Sequence, residues 1–573
     1  MLSTLSHWLI LFFISYPLGV ATMLIMLPST HFKADSHKFA VEYGGLFCVL
    51  HSFIGLVVVS SVANIASIFY QLKSELAFVI AGLSILLWFL NVGNCRDLFF
   101  EIVKRLRFHF STLLLLIFSV VIYAIKSVSF PEIFDDGAYA LPLVKMYEVF
   151  HGPIYGFANL NAHNGLNSSW HSLHAVVSRL SYSGIFFQET YVLNSYFAFL
   201  WLALSVTMLQ KGINEKRADP IIFIPGILLL TIFRNQLTSL STDIPVIIGC
   251  WLVLYLLLLM SEMPHHSNYL VAGVWLLPFW LVSIKLTAAA LMVLPIYFIL
   301  IHEDAFSKFR KMIWLFAGLV VISPWLIQNY IISGYLLFPL KFTGFIPAQW
   351  QVPQVAIDEK MYSAQFGIYA LPQNPSFQWF FQWWQAHPVV IKILLILAFY
   401  ITIIRMVFFM PKSRKYYLQP GFAAIITAVL GWGIWFFTIS EPRYGFGFFP
   451  FLAALALAGV FRAVSQFIGL YVITLCFVTI QVVNLSKSLD EAGGWDKTLL
   501  AKQRSVPSLI TRSIQCGNFT AVTPVSYTNN EIDKPPFCWD CALPCLPKEE
   551  IGDSAWVFQF EIAGKPGFYS KQF

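Results

Sequence analysis

Residues 243–260 read DIPVIIGCWLVLYLLLLM, one acid followed by an unbroken uncharged run. A helix needs about 20 mainly apolar residues to cross the hydrocarbon core, where its backbone groups must be satisfied internally. The stretch is therefore read as a membrane span with Asp243 at its mouth. Similar runs recur on either side. About fourteen candidates emerge, roughly at 7–28, 43–70, 75–92, 111–127, 189–210, 220–234, 243–260, 268–283, 287–301, 313–331, 389–409, 420–440, 448–461 and 465–483. The pair at 268–301 also reads as one long tilted helix. The first run has neither a basic n-region nor a small-residue cleavage site, so it is expected to be retained as a span.

Composition agrees with these runs. The 573 residues are 58% hydrophobic, 17% aromatic and only 11% charged, with mean hydropathy +0.71. Soluble domains carry about 25% charged residues, so a soluble multi-domain protein is excluded. The expected fold is an all-α polytopic membrane protein of about 13–14 transmembrane helices with a small C-terminal tail outside the cytoplasm. The net charge of +7 says less than where Lys and Arg fall, and no nucleic-acid partner is expected.

Cytoplasmic loops hold clustered Lys and Arg. Lys33 and Lys38, Arg96 with Lys104, Arg105 and Arg107, Lys211 with Lys216 and Arg217, Lys308 with Arg310 and Lys311, Lys412 with Arg414 and Lys415, and Arg462 all fall on one side. This holds if the apolar stretch near 171–188 is re-entrant or interfacial, and it puts both termini outside. Three regions result: additional N-terminal helices over 1–110, a transmembrane core over 111–483, and an extracytoplasmic region over 484–573. The core carries external loops at 128–188 and 332–388, far longer than an ordinary connection and too aromatic for disorder.

Of the eight cysteines, Cys48, Cys95, Cys250 and Cys476 lie in or beside spans. Cys516, Cys538, Cys541 and Cys545 lie in the tail. An even number outside the cytoplasm points to two disulfides with three possible pairings, and Cys538, Cys541 and Cys545 as zinc ligands are the alternative. The tail has mixed strand and turn signals and is too small for a generous core, so staples suit it.

The first external loop opens with Glu132, Asp135 and Asp136 directly after a span. A carboxylate there needs a partner or water, which makes it a functional candidate; its plainer role is to cap the next helix. Leu141, Val144, Met146 and Val149 follow at helical spacing, as in an amphipathic helix lying on the membrane. Asn159, Asn161, His163, Asn164, Asn167, Ser168, Ser169, His171 and His174 then accumulate among Tyr155, Phe157 and Trp170. Amides that bind hydroxyls beside rings that cover an apolar sugar face suit sugar recognition. The histidines also raise the question of zinc, but no strict HxxxH pair or adjacent acid completes a motif.

Further polar residues stand at external span ends. They are Arg234 and Asp243, Lys285, Gln328 and Asn329, and Arg443 with Tyr444 in SEPRYGFGFFP. Singly each reads as a snorkelling or topological residue. Together, three cations opposite an acidic pair suit a phosphorylated lipid head group. Arg443 is the best phosphate ligand because its fork binds two oxygens, and Gly445 and Gly447 allow close backbone approach.

These elements resemble the GT-C superfamily of polytopic membrane glycosyltransferases across roughly 110–485: FDDGAYALP, the Asp243 loop, Lys285, PWLIQNYIISGYLLFP and EPRYGFGFFP. More locally, FDDGAYALPLVKMYEVFHGPIYGFANLNAHNGLNSSW and CWDCALPCLP look like a largely uncharacterised bacterial multipass family with GT-C-like architecture. The resemblance implies transfer from a polyprenyl-phosphate sugar to an envelope glycan, lipid or protein, on the periplasmic face of a bacterial inner membrane. It implies Asp135 as general base, with Asp136 where related transferases often have Glu. Tyr139, His163, Asn164, Asn167, Trp170, Arg234, Asp243, Lys285, Asn329, Arg443 and Tyr444 would line the substrate. No strong metal motif accompanies the acid, so a divalent ion stays open. A polymerase or ligase of polyprenyl-diphosphate oligosaccharides, a flippase of lipid-linked sugar, and an assembly role are the competing readings.

Overall fold

The computed structural model describes residues 2–570 apart from 28, 107, 128–132, 134, 179–190, 216–227, 229–231, 264–266, 302–307, 359–377, 409–418, 439–440, 465–473, 477, 481, 484, 488–508, 517, 528–542, 546–556 and 563–564. Glu132, Cys538, Cys541 and most of the span expected at 220–234 lie outside the described residues.

The remaining apolar runs fold as helices. The N-terminal region holds α1 (Leu2–Met26), α2 (Ser29–Glu42), α3 (Gly44–Phe69), α4 (Ser74–Phe89) and α5 (Cys95–Arg105). Next come α6 (Phe110–Lys126), the loop helices α7 (Leu141–Val149) and α8 (Ser169–Val177), and α9 (Leu193–Glu215). The second half holds α10 (Asp243–Glu262), α11 (Ser267–Ile284), α12 (Val293–Ile301), α13 (Lys308–Ser333), α14 (Gln378–Ala386), α15 (Val389–Phe408), α16 (Pro420–Thr438) and α17 (Phe449–Val464). Among the described residues six helices are long and apolar enough to cross a membrane: α1, α3, α9, α10, α13 and α16. The bent pair of α4 with Val92–Arg105, turned by 87°, offers a seventh. Six shorter apolar helices occupy further expected spans.

Burial sorts these helices into layers. In α10, 89% of the apolar window is inside the protein, and in α3 83%. By contrast, α4 exposes Leu83, Ile85, Leu86 and Phe89, α13 exposes Leu315, Phe316 and Leu319, and α15 exposes Ile393, Ile396 and Phe399. Contiguous apolar faces of this kind are unfavourable in water and suited to hydrocarbon. The chain is a polytopic helical membrane protein.

Close backbone approach builds the N-terminal layer. A Cβ at Gly19 would collide with the His51 carbonyl, and one at Gly55 with the Ser15 carbonyl, so α1 and α3 cross through two glycines. A polar seam ties this layer to the rest. Asn64 of α3 donates to Ser169 Oγ at 2.8 Å and accepts from Ser172 Oγ at 2.6 Å, both on α8. Gln328 of α13 donates to the Asn64 carbonyl at 2.9 Å and to Ser67 Oγ at 2.7 Å.

The loop helix α7 differs from the expectation of an amphipathic helix lying on the membrane. Leu141, Leu143, Val144, Met146 and Tyr147 are all buried, and only Val149 among its patterned residues is exposed. Its apolar face is satisfied by protein.

The tail forms two antiparallel hairpins: β1 (Leu509–Cys516) with β2 (Phe519–Tyr527), and β3 (Val557–Ile562) with β4 (Lys565–Ser570). No disulfide joins two described cysteines. Cys516 is buried at the end of β1, and Cys545 bridges to Val522 of β2 through its backbone. The second hairpin docks on the first loop: Phe568 N–H donates to the Tyr155 carbonyl at 2.8 Å, and Asn159 Nδ2 donates to the Phe568 carbonyl at 3.1 Å and the Trp350 carbonyl at 2.9 Å. Gly156 sits at φ +64° beneath this contact, where a Cβ would strike the Phe568 carbonyl.

Candidate active site

Four separate segments bring charge to one end of the bundle. Asp243 opens α10, where the helix N-terminus favours a carboxylate. Lys285 follows the last residue of α11 and begins a 3-10 turn, Leu286–Met292. Because α10 and α11 are joined by a short connection, the start of one faces the end of the other. Arg443 lies in the turn Pro442–Tyr444 that leads into α17. Asp135 immediately precedes a turn of π-helix, Asp136–Ala140, that runs into α7.

The four make a continuous ion-pair network. Arg443 Nη1 donates to Asp135 Oδ2 at 2.9 Å and reaches Asp243 Oδ2 at 3.5 Å. Lys285 Nζ pairs with Asp243 Oδ1. Gln236 Nε2 donates to Asp243 Oδ2 at 3.1 Å. Tyr444 spaces the two cations: Lys285 Nζ lies 3.9 Å from its ring centroid, the Arg443 guanidinium carbon 5.0 Å, and Arg443 Nη2 donates to its hydroxyl at 3.3 Å. Burial alone would lower the Arg443 pKa, but the charges of Asp243 and Asp135 outweigh it and hold the guanidinium protonated.

Access differs across the network. The Asp243 side chain is 1% exposed, whereas those of Asp135, Lys285 and Arg443 are 13%, 20% and 26% exposed. Asp243 is the inner counter-ion, and the other three border the opening. Tyr139 sits alongside, stacked on His163 with ring centroids 5.9 Å apart. Burial, reinforced by the nearby Asp135 charge, pushes the Tyr139 hydroxyl well above its ordinary range, so it remains a neutral phenol.

Asp136 is turned elsewhere. Its Oδ1 accepts from Ser239 Oγ at 2.7 Å and from Leu240 N–H at 2.8 Å, anchoring the segment that precedes Asp243. Burial pushes its pKa up to about 7, with the Asp135 charge adding to the rise and the Ser239 and Leu240 hydrogen bonds opposing it. Asn194 of α9 secures the same segment by donating to the carbonyls of Gln236, Ser239 and Ser241 at 3.0, 2.8 and 3.0 Å. Sequence reasoning missed Gln236, Ser239 and Asn194, although the polar run NQLTSLSTD between two apolar stretches signals a structured turn.

The expected substrate residues therefore divide. Asp135, Asp243, Lys285, Arg443 and Tyr444 converge, with Tyr139 and His163 beside them. Asn167 and Asn329 belong to the polar seam: Tyr147 Oη donates to Asn167 Oδ1 at 2.7 Å, Asn167 Nδ2 to Asn329 Oδ1 at 3.2 Å, and Asn329 Nδ2 to the Leu336 carbonyl at 3.1 Å. Trp170 is fully buried against Phe197, His174 and Trp280, a wedge in the core and not an open platform. Asn164 is buried and donates to the Phe157 carbonyl at 3.4 Å. Arg234 opens the turn Arg234–Thr238 that leads toward Asp243. Gly445 and Gly447 face Trp435 and Cys250, so their small size serves packing and not the approach of a phosphate.

Among the described residues no three His, Cys, Asp or Glu side chains are arranged to hold a metal ion. Burial pushes His171 down to about 3, keeping its imidazole neutral. Arg443 and Lys285 engage Asp135 Oδ2 and both oxygens of Asp243.

Fold and site together define a polytopic membrane protein with a buried ion-pair centre at one end of its helices. The chain belongs to the family described as "Domain of unknown function (DUF8201)", whose sequence model matches residues 1–450. No curated protein and no solved structure matches it. The matched stretch takes in both the N-terminal helices and the four charged residues of the site.

Proposed function

We propose that the protein is a GT-C-like glycosyltransferase. It moves a sugar from a polyprenyl-phosphate donor to an envelope glycan, lipid or protein acceptor, at a periplasmic site in a bacterial inner membrane. The observation that carries this reading is the pairing of a partly open carboxylate, Asp135, with two cations, Arg443 and Lys285, at the ends of apolar helices.

Each charge has a part in that reaction. The acceptor hydroxyl oxygen bonds to the anomeric carbon while the bond from that carbon to the phosphate oxygen breaks. The bonding pair leaves with the lipid phosphate, and the hydroxyl proton passes to Asp135, which later returns it to water. Arg443 and Lys285 offset the charge on the departing phosphate, most effectively where water is scarce. Tyr139 and His163 form an aromatic wall suited to a sugar face. A disulfide at Cys545 would staple the tail that covers the loop.

Asp135→Asn keeps the shape of the side chain and removes its basicity. Purified protein supplied with polyprenyl-phosphate sugar and envelope acceptor should lose at least about 100-fold in transfer rate. Full activity in that variant would sink the assignment.

A further inference from the structure

The ion-pair network has one property that a simple phosphate clamp does not need. Arg443, the strongest anion ligand in the site, is already bound to the carboxylate that serves as base. At 2.9 Å the guanidinium competes with any acceptor hydroxyl for Asp135 Oδ2, so the oxygen that would take the proton is engaged while this contact lasts.

The two carboxylates are not held alike. Asp243 is 1% exposed and is fixed by Lys285 and Gln236, with Arg443 a longer contact at 3.5 Å. Asp135 is 13% exposed, and Arg443 is its ion-pair partner among the described residues. Arg443 itself is 26% exposed, and both of its contacts to carboxylates use Nη1. An incoming anion can engage the rest of the fork before Nη1 lets go of Asp135.

We infer that Arg443 is an anion-operated latch, which the phosphate of a lipid donor opens by drawing the guanidinium away from Asp135 and so freeing the base. This rests on the glycosyl-transfer reading and adds a coupling to it: the base becomes competent only when a phosphate is in place. Acceptor hydroxyls and water that enter an empty site meet a carboxylate still held by Arg443. Asp243 stays bound to Lys285 throughout and keeps the second cation in position.

Competition for one guanidinium has a measurable signature. Asp135 and the phosphate exclude each other, so removing the carboxylate strengthens phosphate binding even as it abolishes transfer. Wild-type and Asp135→Asn protein in nanodiscs would be titrated with polyprenyl monophosphate, the uncharged polyprenol and inorganic phosphate. The variant is expected to bind polyprenyl monophosphate about tenfold more tightly than wild type, which corresponds to about 1.4 kcal/mol. Asp135→Ser carries the same expectation and serves if the amide impairs folding. Equal or weaker binding in a folded variant overturns the latch, and leaves the transferase reading standing if wild type still prefers the phosphate over polyprenol. Tighter binding of inorganic phosphate to the same extent keeps the latch but overturns a lipid as its operator. If neither protein binds either phosphate, both the latch and the transferase reading fall.

Discussion

Asp135 and Asp136 are adjacent in the chain and opposite in circumstance. One meets Arg443 at the rim of the site, and the other is buried against Ser239 and Leu240. Because burial keeps the proton on Asp136 up to about pH 7 in the folded protein, against 3.8 for an ordinary aspartate, the stability it contributes is complete below the lower value and is lost as pH rises through the upper one. That share is at most about 4 kcal/mol. Thermal unfolding of wild type in detergent should therefore occur at lower temperature as pH rises from about 5 to 8, and Asp136→Asn should flatten this slope; an unchanged slope would show that Asp136 is not the group responsible. The charged residues of the site were legible because a charge beside an apolar run is costly unless compensated. Asn167, Asn329 and Trp170 were not separable from them, because an amide or indole is equally at home in a satisfied interior network and on a sugar.

At the scale of elements, most spans were legible because length and apolarity alone decide them. α2 and α5 were not, since both are short and carry charge within regions read as loops. The crossing of α1 and α3 depends on geometry that no hydropathy scan contains. Gly55→Ala would press a methyl group into the Ser15 carbonyl and should destabilise the protein by about 1–3 kcal/mol, read as a lower unfolding temperature. Gly82 of α4 offers a control, because nothing lies within 4 Å of a Cβ there. Gly82→Ala should leave the unfolding temperature unchanged or raise it slightly.

For the whole molecule, the contact of β4 with Tyr155 places the tail and the first loop on one side of the membrane, so the chain between them crosses an even number of times. This relation constrains the topology independently of Lys and Arg counts. Removing residues 557–573 should raise amide exchange at Gly156–Leu160 about tenfold, while α10 and α11 keep their protection. Unchanged exchange would mean that the loop holds itself without the tail.

Asn159 and Phe568, which also meet there, are 409 residues apart, with the loop near the beginning of the core and the strand in the tail. A growing chain emerges in order, so the spans between them must be threaded into the bilayer before β4 reaches Tyr155. The outer rim of the site thus acts as a completion mark. A chain stalled or cut before its last strand presents an unfastened loop, which gives a protease that surveys the membrane surface a physical basis for telling unfinished molecules from finished ones.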